Sequence, residues 1–199
     1  MSRSLPWIRK RKRGIGAGRS LGLGLLFALG LSVTAQAMER NGSADRVFAI
    51  GVMAHDRGFA SDEHERGTDL NLEMQFAPMR FFGSPRPHLG ATLNFQGETS
   101  VAYAGLGFRL REWRNGYADL HFSAALHNGP LRKDAVSCDV YSDCGYGIRL
   151  MPRLGFELAY RITPNASVSI LYDHMSHKNI SSAENEGLDH SGLRYLLSY

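Results

Sequence analysis

The chain has 199 residues and a formal charge of +4. Seven of its 23 Lys and Arg residues and none of its 19 acids fall within the first 37 positions, which leaves 16 basic against 19 acidic groups, a formal −3, for the rest. The basic pI therefore belongs to the leader, nucleic-acid binding loses its electrostatic support, and what remains is long enough for one domain of ordinary size.

The first element reads as a targeting segment. Arg9-Lys10-Arg11-Lys12-Arg13 and Arg19 form a basic stretch, Leu21 to Val33 is an apolar run, and Ala35-Gln36-Ala37 has the small-residue form of a cleavage site. The apolar run is about a dozen residues, short of the roughly 20 a spanning helix needs. The expected organisation is a signal peptide over 1–37 and a single domain over 38–199.

Beyond Met38 a period of two recurs and a helical period does not. Strands are expected at Arg46 to Ala54, Asp69 to Ala77, Pro87 to Gln96, Ser100 to Glu112, Tyr117 to His127, Arg153 to Thr163, Ala166 to Ser176 and Asp189 to Tyr199. Several are about 9 to 11 residues long, enough to cross a bilayer as tilted strands. Leu70, Leu72, Met74 and Phe76 alternate with Asn71, Glu73 and Gln75. Leu154, Phe156, Leu158 and Tyr160 alternate with Arg153, Gly155, Glu157 and Ala159. One face is apolar, and the other carries charges and glycines.

A soluble barrel or sandwich would also alternate. The export signal, eight strands, aromatics near strand ends (Tyr117, Tyr160, Tyr172, Tyr195, Tyr199) and a final strand at the C-terminus favour an all-β, eight-stranded antiparallel transmembrane β-barrel of the outer membrane of a Gram-negative bacterium. Its interior charges must then pair, with Glu73, Glu157 and Asp119 facing Arg109, Arg161 and Arg194. Closure leaves no strand edge to aggregate. The turns Arg111 to Gly116 and Thr163-Pro164-Asn165 suit the periplasmic side, as does the longer Pro78 to Arg86 link. His55 to Thr68, Asn128 to Leu150 and His177 to Leu188 suit the outside, with Gly97-Glu98-Thr99 as a short outer turn.

Within the second long loop lie the two cysteines, Cys138 and Cys144. An exported chain favours a disulfide closing a small loop. Zinc binding is the weaker reading, because no second Cys/His pair stands at a finger-like spacing.

Chemistry concentrates in the last two strands. His174 and Ser176 are two apart on a strand and share a face, the one that Val168, Ile170 and Tyr172 make apolar. Asp189 opens the next strand on the same face, so a hairpin brings a carboxylate to the imidazole. Nucleophile, base and orienting acid are the parts of acyl transfer. Polar side chains aimed at lipid are expensive, which makes them functional candidates. The bland alternative is a set of interfacial residues wetted by headgroups. Asp173 points inward, and His177 and His190 read as loop and lumen residues rather than metal ligands.

His174-Met175-Ser176, a short polar loop, Asn185-Glu186-Gly187-Leu188-Asp189 and the closing Gly192-Leu193-Arg194-Tyr195 together resemble the C-terminal signature of the lipid A 3-O-deacylase (PagL-type) family. Two positions depart from its pattern: His177 stands where the family often has Asn, and Asp189 where its acid can be Glu. The resemblance implies an outer-membrane serine esterase that removes the 3-O-linked acyl chain of lipid A with no cofactor or metal. Ser176 would be the nucleophile, His174 the base and then acid, and Asp189 the orienting acid. Asn185 or the backbone at Gly187 would help stabilise the oxyanion. Implied partners are lipopolysaccharide as substrate, the outer membrane and, as an option, a second copy in a homodimer. The competing classes are a non-enzymatic small barrel (adhesin or membrane-stabilising) and a phospholipase-type esterase built on the same three residues.

Overall fold

Side chains that alternate between apolar and polar leave a sheet with one dry face and one wet face, and rolling it up decides which is inside. The computed structural model describes residues 46–61, 65–132, 145–177 and 186–199. The expected leader, the Cys138 and Cys144 pair and Asn185 lie outside the described residues. Eight strands follow in chain order: β1 Val47–His55, β2 Gly67–Gln75, β3 Arg86–Asn94, β4 Val101–Trp113, β5 Gly116–His127, β6 Leu150–Thr163, β7 Ala166–Met175 and β8 Leu188–Ser198. Each pairs antiparallel with its neighbour and β8 pairs back onto β1, closing the barrel.

The apolar face turns outward. Phe48, Ile50 and Val52 of β1 and Leu154, Phe156 and Leu158 of β6 are exposed, while Ala49, Met53, Arg153 and Glu157 between them are buried. That inversion of the soluble pattern is what a bilayer requires: an apolar band outside and a satisfied polar interior.

The interior is filled rather than open. Arg194 donates to Glu157 Oε1 at 2.7 Å and pairs with Glu73 Oε2 at 3.1 Å. The Tyr103 hydroxyl donates to Glu73 at 2.9 Å, and Arg153 makes a two-pronged contact with Asp173 at 2.9 and 2.6 Å. Asp119 pairs with Arg109. Arg161 departs from the expected lumen pairing: at the end of β6 it pairs with Glu112 near the rim, beside the shift in register between Arg161 and Thr163. Tyr117 stands near a strand end as expected, at the start of β5, but its ring faces inward. It is buried, with the Arg109 guanidinium 3.8 Å from its ring centre, whereas Tyr160, Tyr195 and Tyr199 do face outward.

The tight connections Arg114-Asn115 and Pro164-Asn165 mark one end, and the longer connections after β1, β5 and β7 mark the other, which the rule of short periplasmic turns makes the outer end. At the outer end Tyr146, Val101, Tyr103, Ala125, Met151, Met175 and Leu188 pack into one buried apolar cluster. A cavity of about 430 Å³ opens at the opposite end, lined in part by Arg86, Arg109 and Tyr117. It is remote from His174.

Candidate active site

The register of the last hairpin pairs His174 of β7 directly with Asp189 of β8. Both point to the outer wall, because Ile170 and Val168 before the one and Leu193 and Tyr195 after the other are exposed. His174 Nδ1 donates to Asp189 Oδ1 at 2.7 Å. A carboxylate on Nδ1 selects the tautomer whose lone pair is on Nε2, the nitrogen a general base needs.

Ser176 lies one residue beyond the end of β7. Its amide still donates to the Pro152 carbonyl at 3.2 Å, so the ladder with β6 continues past the strand and keeps Ser176 on the course of His174. Gly187 approaches from the other side. A Cβ there would stand 2.7 Å from His174 Cε1, so the backbone leading into β8 lies against the imidazole.

Asp189 is on the outer wall as expected but does not meet lipid, for its side chain is fully buried. The connection after β1 covers it. The Ala60 and Ser61 amides donate to Asp189 Oδ2 at 3.0 and 3.2 Å. Gly58 passes so close that a Cβ there would stand 2.1 Å from the same oxygen. Phe59, 84% exposed, stacks on Tyr172 with ring centres 4.2 Å apart and planes 20° apart. Both carboxylate oxygens thus accept from donors, and the ionised form can be kept out of water beside an apolar wall.

Asp56 shapes this strap. Its φ of 48° is left-handed, a conformation Asp tolerates better than most residues. Its carboxylate accepts from the Glu65 amide at 3.0 Å and the Ser61 hydroxyl at 3.4 Å. Burial works to raise the Glu65 carboxyl, but hydrogen bonds from His55 and Thr99 overcome it and hold the group below the ordinary carboxylate range. No sequence period marks residues 56–61, and the tie of Ala60 and Ser61 to Asp189 spans 128 or more positions, so nothing local in the sequence points to them.

The remaining candidates separate from this site. Asp173 turns into the lumen against Arg153 and His190. His177 is buried, and its Nε2 donates to the Tyr146 carbonyl at 3.0 Å.

Fold and geometry together define an outer-membrane β-barrel that carries a buried carboxylate, an imidazole and a serine on its lipid-facing wall near the outer rim. Residues 82–198 match the family model described as lipid A 3-O-deacylase (PagL), a span that includes His174, Ser176 and Asp189. The chain belongs to the lipid A 3-O-deacylase family, and it is a lipid A deacylase of the Gram-negative outer membrane. Among solved structures, a de novo designed transmembrane β-barrel is similar at a TM-score of 0.50 and 12% identity, over 81% of this chain and 100% of that one. That likeness speaks for the fold. Neisserial surface protein A gives 0.49 and 12%, over 79% and 99% of the two chains. The Yersinia pestis outer membrane protein Ail gives 0.44 and 11%, over 77% and 99%. No curated protein matches the chain.

Proposed function

We propose that the chain hydrolyses the ester of the 3-O-linked acyl chain of lipid A by a serine mechanism, with Ser176 as nucleophile, His174 as general base and then acid, and Asp189 as the orienting carboxylate. The observation that carries this reading is the 2.7 Å bond from His174 Nδ1 to a buried Asp189 on the wall that faces lipid. A structural ion pair would gain nothing from that position, since polar groups on the outer wall are costly unless they work there.

The substrate stands in the outer leaflet with its esters at the headgroup boundary, so a site on the outer rim meets the ester without drawing a chain through the barrel. Ser176 Oγ attacks the ester carbonyl as its proton passes to His174 Nε2. The tetrahedral intermediate collapses, the sugar hydroxyl leaves with that proton, and an acyl-enzyme remains. Water then attacks, giving its proton to His174, and the fatty acid departs as the proton returns to Ser176. Asp189 holds the imidazole through both halves and stabilises the imidazolium. Asn185 or the backbone at Gly187 supplies oxyanion donors, groups that contribute about 2.7 to 4 kcal/mol each where they have been removed elsewhere.

The test is mass spectrometry of lipid A from a Gram-negative host expressing the chain, beside Ser176→Ala. Wild type is expected to remove one 3-linked hydroxyacyl chain, and Ser176→Ala to leave lipid A intact while its barrel still shows heat-modifiable migration. Equal deacylation by the variant sinks the nucleophile assignment. Unchanged lipid A with cleaved phospholipid would point to a phospholipase-type esterase.

A further inference from the structure

On the reverse side of the sheet from His174 and Asp189, their chain neighbours Asp173 and His190 face a second polar cluster inside the barrel. His55 ends β1, Asp69 lies near the start of β2, and His190 lies near the start of β8. All three are buried, with 0, 0 and 1% of their surface exposed. One ligand-capable atom from each falls within 4.8 Å of the others. His55 Nδ1 is 2.8 Å from Asp69 Oδ2, and His190 Nε2 is 3.5 Å from the same oxygen.

The far atom of each residue is anchored. His55 Nε2 donates to Glu65 Oε2 at 2.8 Å, and Glu65 is itself fixed by the Thr99 amide and hydroxyl at 2.9 and 2.7 Å. His190 Nδ1 donates to Asp173 Oδ1 at 3.1 Å. Asp69 Oδ1 accepts from the side-chain amide Nδ2 of Asn94 at 2.8 Å. Two imidazoles, each with a carboxylate on its outer nitrogen, and a carboxylate with one oxygen tied back therefore bring their inner atoms within 4.8 Å of one another. Metal-ligating histidines are held in this way, by outer carboxylates that fix the tautomer and make the inner nitrogen more basic.

One of the inner atoms also lacks a hydrogen-bond partner. His190 Nε2 makes no hydrogen bond. Its hydrogen bond to Asp173 through Nδ1 leaves Nε2 available to a further partner. Three tetrahedral ligands at bond lengths of about 2.0 to 2.1 Å stand roughly 3.3 Å apart, close to the observed 3.5 Å edge. The shorter His55 edge holds a proton, for which a cation would compete.

We propose that His55, Asp69 and His190 form a binding site for a divalent transition metal, with Zn²⁺ the best match to two nitrogens and one carboxylate oxygen. His55 and His190 are register partners across the β1–β8 seam. A bound ion clips the first strand to the last at the outer mouth, directly behind the strand start that carries Asp189. The other buried cluster of this kind, Asp119, His121 and Glu157, is a poorer site: Arg109 and Arg194 already neutralise its two carboxylates and would repel a cation.

The experiment is calorimetric titration of the chelator-treated full barrel in detergent with Zn²⁺ in two buffers of different ionisation enthalpy, together with its thermal unfolding. One Zn²⁺ per chain, release of a proton on binding and a higher unfolding temperature are expected. His190→Gln is expected to abolish binding, Glu65→Gln to weaken it about 10- to 100-fold as loss of an outer carboxylate does, and His121→Gln to leave it unchanged. Binding that survives His190→Gln, or that is lost only in His121→Gln, overturns the proposal. Should a variant fail to fold, Co²⁺ added to the wild-type barrel decides. Intense visible ligand-field bands displaced by Zn²⁺ support the site, and their absence overturns it.

Discussion

Asp189 shows how a single carboxylate can be placed where the solvent forbids one. Its oxygens take three donors, one imidazole nitrogen and two strap amides, in a position the barrel would otherwise give to lipid. Asp189→Asn keeps the volume but offers an amide to Nδ1 and selects the wrong tautomer. Deacylation is expected to fall by on the order of 10³ to 10⁴ with the barrel intact, read as initial rates on purified lipid A in mixed micelles. Gly58 tests the strap itself. Ala at that position drives a methyl toward Asp189 Oδ2, so the strap or the carboxylate must shift. A loss of about 10- to 100-fold in kcat with little change in KM or in heat-modifiable migration is expected, because displacement of a positioning group by about an ångström has that cost. Full activity in Gly58→Ala would mean that the strap does not position the acid.

At the scale of elements, the site is made by three pieces that are distant in sequence: the end of β7, the start of β8 and the connection after β1. Pairing of β7 with β8 aligns His174 with Asp189, and the outer connection seals the pair. Phe59 pins that connection by stacking on Tyr172, a contact worth about 0.5 to 1.5 kcal/mol beyond its buried area. Phe59→Ala is expected to loosen the strap and not the barrel. Limited proteolysis of the folded protein should cut near residues 56–61 faster than in wild type, while the unfolding temperature changes little. An unchanged cleavage rate would show that Asp56 and the two amides hold the strap without the stack.

For the whole molecule, stability rests on a filled polar lumen, because the outer wall exchanges lipid for lipid and gains little from its own apolarity. Arg194 is the hub. It is fully buried and bonds Glu157, Glu73 and Asn71 from three directions. Arg194→Leu leaves two carboxylates without their cation, a change expected to cost about 3 to 5 kcal/mol. The measurement is the urea midpoint for unfolding from detergent or liposomes, and a midpoint equal to wild type would show that water or a cation replaces the guanidinium. The same closure explains the long-range character of the site, since joining β8 to β1 brings the connection after β1 onto the start of β8.

The barrel was legible because bilayer-spanning strands must repeat every two residues, and β2, β6 and β7 do so plainly. The family was legible from the run between His174 and Tyr195, and the pairing of His174 with Asp189 from hairpin parity, which is a local rule. Strand ends drifted by a few residues: β6 begins at Leu150 rather than Arg153, and β7 stops at Met175, before Ser176. Hydrogen bonds to a neighbouring strand set those ends, and composition does not record them. Arg161 took another partner for the same kind of reason, since the register shift beside it at the rim reassigns which side chains meet. Alternation by itself determined that the strands have an apolar and a polar face. Only the closed tertiary structure decided that the outward-facing Asp189 is sheltered by residues 58–61, and that His55, Asp69 and His190 converge, because both depend on the seam between the two ends of the chain.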